Sequence, residues 1–319
     1  MESPTIVGRL HVHPLTTVTR TEHLQSLSAW GGRFIAWTEG PSNAPAIILY
    51  DRTNGQTRTL LHGSTASVNF FAVRGEGNMV VALEEPSMPD DSRPNTTWRI
   101  IAVDVSTGNV TVVRKSPRPT PGLIVPPPEF DGRWIVWEEP QGDTVETTNL
   151  MSFDTQSGHT FTLATKVPYA GPSVLDGVMY YRQQRPDSTD MFRVPVDGSA
   201  PAVQVTHTGV VGGLVARNGG LAWNQPPTGN ASSVWYMPAG ATTPLEIASQ
   251  GDEAFPGRGF VVYAVPPDYG QVLAAPVARA RAVHSSSVTM SLTNLHDGPS
   301  TATLSFGRNA TPRDPPRQL

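Results

Sequence analysis

One phrase constrains this chain more than any composition does, because it is written clearly between Asp131 and Thr165 and recurs from end to end. It has three pieces. The first is an apolar strand behind a Gly-containing turn: Gly31 to Trp37, Gly77 to Leu83, Asp131 to Trp137, Asp176 to Tyr181, Asn218 to Trp223 and Gly257 to Tyr263. The second alternates and ends in a turn: Ile47 to Gly55, Ile100 to Gly108, Met151 to Gly158, Phe192 to Gly198, Val234 to Gly240 and Val272 to Val277. Aspartate opens such turns by accepting hydrogen bonds from the backbone that follows it, and the closing glycine takes the positive φ that other residues resist. The third is a short strand ending at Arg20, His62, Arg114, Thr165, His207, Ser249 and His284.

A phrase repeated about every 35 to 50 residues is the signature of a repeat architecture. Paired β-sandwiches also show short strands and frequent turns, but they do not restate one three-part phrase at a near-constant interval. The expectation is an all-β chain folded as a β-propeller of four-stranded blades. The third piece has seven copies and the first has six, the extra copy being Val18-Thr-Arg20 near the N-terminus. Val288 to Leu292 and Thr301 to Phe306 again read as strands. A blade shared between the two chain ends explains both facts and removes an open sheet edge. Seven blades are therefore expected, six in sequence and one closed by both termini; a six-bladed ring with an extra C-terminal hairpin is the alternative. Residues 1–307 read as one propeller domain and residues 308–319, rich in proline and arginine, as a flexible tail.

Gly171-Pro-Ser-Val-Leu-Asp176-Gly-Val-Met-Tyr-Tyr181 and Pro128-Glu-Phe-Asp131-Gly-Arg-Trp-Ile-Val-Trp137 resemble TolB-like, WD-repeat-like propeller repeats. The resemblance spans the six internal repeats, although the usual Trp-Ser-Pro before Asp-Gly is absent. It implies a propeller fold and a habit of binding, and it brings no catalytic residue.

Composition narrows the partners. A net charge of -4 and a pI near 6.1 give no basic footprint for nucleic acid or an anionic membrane. Without cysteine there is no disulfide, thiolate metal site or cysteine nucleophile. No apolar run approaches the length of a membrane span, and Met1-Glu-Ser-Pro-Thr-Ile lacks the pattern of a secretory signal. The compartment stays open. Neither a nucleophile elbow, nor a Walker loop, nor a zincin motif is present.

In a four-stranded blade, the linker to the next blade and the loop between the second and third strands open on one face. That rim gathers Arg20, His62, Arg114, Lys115, Lys166, His207 and His284 from the third pieces, with Glu39, Glu84, Glu85, Glu138 and Glu139 from the first. Rim loops on a rigid scaffold are where binding groups usually lie. The histidines offer a pH-sensitive or metal-capable ring, or simply exposed polar positions. His11-Val-His13 puts two imidazoles on one side of a strand, but a metal site needs a further ligand. The pairs Glu84-Glu85 and Glu138-Glu139 suggest glycosidase carboxylates, or the solvated starts of loops. Neighbours on a strand point to opposite faces, so at most one of each pair reaches the channel.

Trp37, Trp137, Tyr181, Trp223 and Tyr263 occupy equivalent positions and are expected to pack between blades. Insertions at Glu84 to Thr97 and Gln141 to Thr148 depart most from the repeat and are expected to project from the rim. Two functions fit. The first is a non-enzymatic module that binds a protein or surface glycan through rim loops, within a larger envelope, secretion or phage-tail assembly. The second is a hydrolase or lyase of carbohydrate or peptide at the axial channel. No cofactor and no metal are expected.

Overall fold

The computed structural model describes residues 26–305, apart from 40–44, 66–67, 87–96, 117–126, 142–146, 227–231, 258–259, 266–270, 277–286 and 295–297 and the single positions 169, 218 and 242. Among the described residues there is no helix.

Successive stretches of chain each fold into an antiparallel meander. The first blade is β1 (Leu27–Trp30), β2 (Phe34–Glu39), β3 (Ala46–Asp51) and β4 (Gln56–His62). The second is β5 (Val68–Glu76), β6 (Met79–Pro86), β7 (Arg99–Asp104) and β8 (Val110–Lys115). The third is β9 (Glu129–Phe130), β10 (Trp134–Pro140), β11 (Thr147–Asp154) and β12 (Thr160–Pro168). The fourth is β13 (Ser173–Leu175), β14 (Val178–Arg185), β15 (Ser188–Pro195) and β16 (Val203–Gln204). The fifth is β17 (Leu214–Arg217), β18 (Gly220–Gln225), β19 (Ser233–Pro238) and β20 (Leu245–Ala248). A sixth sheet holds β21 (Asp252–Gly257), β22 (Phe260–Val265) and β23 (Gln271–Pro276). A hairpin, β24 (Ser287–Asn294) with β25 (Gly298–Ser305), follows.

The repeated phrase is thus the second, third and fourth strands of each blade. Neighbouring first strands touch in order from β1 through β5, β9, β13 and β17 to β21, as blades arranged about one axis require. The strand expected at 18–20 to close a seventh blade, the fourth strand expected at 282–284 for the sixth, and the tail at 308–319 lie outside the described residues.

The turns behave as their residues dictate. Asp51, Asp104, Asp154 and Asp197 each accept the backbone N–H two residues on, from Thr53, Ser106, Gln156 and Ser199, at 2.9, 2.9, 3.0 and 2.9 Å. Gly55, Gly108, Gly158 and Gly198 close them at φ values between 69° and 74°.

Blades pack through alternate faces of the second strand. Trp137, the fourth residue of β10, is fully buried against Val81, Leu83 and Ile100 of the preceding blade. Tyr181, Trp223 and Tyr263 hold the same place in β14, β18 and β22, and each joins a cluster with its preceding blade. The aromatic series is therefore inter-blade packing, an area-driven contact with directional ring geometry as a minor addition. Trp37 of the first blade clusters with Ile35, Ala46 and Ile48, on the face turned away from the second blade.

Candidate functional site

The connections between blades pose a hydrogen-bonding problem: their backbone N–H groups have left the sheet and need other acceptors. Buried carboxylates supply them. Glu138 is 0% exposed and its Oε1 accepts the N–H groups of Ala170, at 2.9 Å, and Gly171. Its other oxygen takes the Thr148 hydroxyl at 3.3 Å. Glu84 accepts Ser64 N–H at 2.6 Å and pairs with Arg99 beside it in the sheet. Asp190, in the fourth blade, accepts Gly209 N–H at 3.0 Å and the Thr206 hydroxyl at 3.1 Å. Burial pushes the Glu138 carboxyl above the usual range, against the opposing pull of the N–H groups of Ala170 and Gly171.

These contacts revise the picture of solvated loop starts. Glu84, Glu85 and Glu138 are buried, and Glu139 is half-buried. As expected for strand neighbours, Glu138 and Glu139 face opposite ways. Glu138 turns toward the fourth blade, whereas Glu139 turns to the second, where both of its oxygens are held by Arg114 at 2.6 Å. Arg114 and Glu139, both expected on the rim, thus meet as one fork-to-fork pair.

The remaining described rim residues form an outer arc. His62, Lys115, Lys166 and His207 are all exposed, within three residues of the ends of the fourth strands of four successive blades. They sit at the outer edge of the ring and do not converge on its axis. His284, Arg20 and the His11/His13 pair lie outside the described residues.

Strand boundaries also redistribute the insertions. The stretch between β10 and β11 is only 141–146, similar to 40–45 in the first blade and 226–232 in the fifth. Two connections stand out, 87–98 between β6 and β7, and 116–128 between β8 and β9. Both leave the linker-side end of the second blade. The second was missed from sequence because its prolines, at 117, 119, 121 and 126 to 128, read as punctuation between repeats.

The opposite, turn-side face differs in charge. A cleft of about 690 Å³ opens there between the third and fourth blades, lined by Asp131, Asp154, Asp176, Asp197, Arg133 and Trp134 among others. Three of its carboxylates, those of Asp131, Asp154 and Asp197, have structural duties. Asp131 accepts the N–H of Trp134 at 2.8 Å and, across the blade boundary, that of Gly177 at 3.1 Å. Asp154 is held by Arg133, which keeps its carboxyl far below the usual range. Among the described residues no group of three or more His, Cys, Asp or Glu is placed to hold a metal ion.

Solved structures resemble the whole arrangement. TolB from Acinetobacter baumannii is 13% identical at a TM-score of 0.51, covering 86% of this chain and 64% of its own. The β-propeller domain of the Trilobed protease from Pyrococcus furiosus is 11% identical at a TM-score of 0.59, covering 80% and 81%. A prolyl endopeptidase gives 12% and 0.58, covering 90% and 50%. This chain therefore spans under two thirds of the TolB chain and half of the endopeptidase. No protein-family model and no curated protein matches the sequence. At such identities the likeness is one of fold, and with the blades and turns above it shows a β-propeller whose repeats resemble those of TolB.

Proposed function

We propose that this propeller is a non-enzymatic interaction module and that the linker-side end of its second blade receives a protein partner. One observation carries the reading. Connections 87–98 and 116–128 leave the same end of the same blade, on either side of exposed Lys115 and the Arg114–Glu139 pair. The corresponding connections of the first, third, fourth and fifth blades are shorter, from 186–187 to 205–213. Long connections on a regular scaffold favour a functional role.

The charges suit a protein better than a uniformly charged polymer. Asp90, Asp91 and Arg93 lie in one connection and Arg118 in the other, so both signs are present beside Lys115. A catalytic reading needs titratable groups free to exchange protons with a substrate. Glu84, Glu138 and Glu139 instead hold Ser64, the Ala170–Gly171 backbone and Arg114. An affinity capture comparing the intact chain with one lacking residues 87–96 tests the proposal. Loss of a specific protein supports it, and unchanged capture of every protein contradicts it.

A further inference from the structure

The innermost strands carry a second feature, independent of the rim. In each blade one residue of the first strand pairs with the third residue of the second strand: Ser28 with Ala36, Arg74 with Val81, Glu129 with Val136, and Ser173 with Tyr180. Where this place is serine, it stitches blades together. Ser28 accepts Gly75 N–H of the second blade at 3.0 Å, and Ser173 accepts Ala216 N–H of the fifth at 2.8 Å.

The second and third blades put charge in that place. Arg74 donates through Nε and Nη2 to Glu129 Oε1 at 2.9 and 2.7 Å. Arg217, paired with the first residue of β18, reaches Glu129 Oε2 through Nη2 at 3.3 Å. Its strand belongs to the fifth blade and Glu129 to the third, so this contact skips the fourth blade. Arg74 and Arg217 lie toward the turn-side ends of β5 and β17, and Glu129 is level with the third residue of β10, so the cluster lies nearer the turn side of the ring than the linker side.

Stitching alone needs no charge here, since serine does it in two other blades. The cluster also holds two guanidinium groups and one carboxylate. Glu76 stands level with Arg217, is exposed beside Gly132, and acts on Arg217 more weakly than Glu129 does. Burial is the largest influence on all three clustered groups, and Arg74 adds repulsion that lowers Arg217 below its ordinary range. The Arg217 side chain keeps 41% of its surface exposed, against 21% for Arg74 and 15% for Glu129. It is the open member of the cluster, with one long hydrogen bond to its counter-ion.

We infer that Arg217, backed by Arg74, forms a binding site in the axial channel for a ligand bearing a single carboxylate, with Glu129 as the resident counter-ion. A planar guanidinium fork matches a carboxylate in two parallel hydrogen bonds. The surplus positive charge of the two guanidinium groups, partly offset by Glu76, matches a monoanion better than a dianion such as phosphate. The carboxylate has two natural sources, a peptide C-terminus or a uronic acid.

Isothermal titration calorimetry with a short neutral peptide bearing a free C-terminus, its C-terminal amide, galacturonate and galactose tests this. The expected result is that the free-acid peptide or galacturonate binds at least about tenfold tighter than its uncharged counterpart, and the pair that does so identifies the source. Arg217→Gln then abolishes the preference. Arg217→Lys, which keeps the charge without the fork, weakens it. Glu129→Gln strengthens binding severalfold by releasing Arg217. Equal binding of charged and uncharged members, or no binding of either by the folded wild-type protein, overturns the proposal and leaves the cluster as a strut between blades.

Discussion

Arg114 and Glu139 grip each other across the seam between the second and third blades, Nε to one carboxylate oxygen and Nη2 to the other, both at 2.6 Å. The pair joins the last strand of one blade to the second strand of the next, and Glu139 is the less exposed partner at 13% against 37%. Water reaches the arginine, so the coupling is expected to be modest. A double-mutant cycle with Arg114→Ala and Glu139→Ala should give an interaction of about 1 kcal/mol, diminished by salt. A coupling near zero would mean that this pair adds nothing to a seam held by the apolar contacts of Trp137 and by the Arg74–Glu129 pair.

Glu138 gives an opposite pair of outcomes. Its buried carboxyl is raised, so the stability it contributes is fully present below the unfolded carboxyl value of about 4.3 and is lost as pH rises through the folded value. Glu138→Gln keeps an acceptor for Ala170 and Gly171 without the buried charge, and should melt at or above wild type at pH 7, the difference closing toward pH 4. Glu138→Ala strands two N–H groups and should cost about 2–3 kcal/mol in a denaturant titration. Equal losses in both variants would remove the clamp from the account.

The turn aspartates titrate the other way. The Thr107 backbone N–H and the Ser106 hydroxyl hold Asp104 down at about 2, and Arg33 and Arg133 hold Asp51 and Asp154 lower still. Stability from a depressed carboxyl is present above its unfolded value of about 3.9 and disappears as pH falls through the folded one. Acid unfolding should therefore develop below about pH 4, and Asp104→Asn should flatten the profile between about pH 4 and pH 2. A profile unchanged by that substitution would contradict the assignment.

How legible all this was depends on residue type and spacing. Asp51, Asp104, Asp154 and Asp197 announce their turns because donor and acceptor lie two residues apart. The second strands show as apolar runs, and their aromatic fourth residues mark the inter-blade face. The innermost strands do not show: Glu129–Phe130 is a two-residue strand and Ser173–Leu175 a three-residue one, too short for alternation to register. The Arg74, Glu129 and Arg217 cluster was hidden with them. Buried glutamates escaped for another reason, since Glu138 finds its N–H partners about thirty residues away, in a linker. A carboxylate at a strand end is then indistinguishable from one that faces water.

Ring closure is a further expectation from the same repeat. Ile35, Trp37, Ala46 and Ile48 form a buried cluster on the face of the first blade away from the second, where a closing blade would pack. If the copy at Val18-Thr-Arg20 supplies a strand to that blade, deleting residues 1–20 should lower the melting temperature by more than about 5 °C and broaden the transition. An unaffected melt would defeat closure by both chain ends.

The most direct test of the binding surface is site-specific photocrosslinking in the native cell extract. A benzophenone side chain is placed at Lys115, between the two long connections, or at Gln156, exposed on the turn-side face. The account predicts one protein captured at Lys115, absent at Gln156, and lost when residues 87–96 are removed from a chain that still folds. Equal capture at both positions, or capture at Lys115 that survives the deletion, would contradict it.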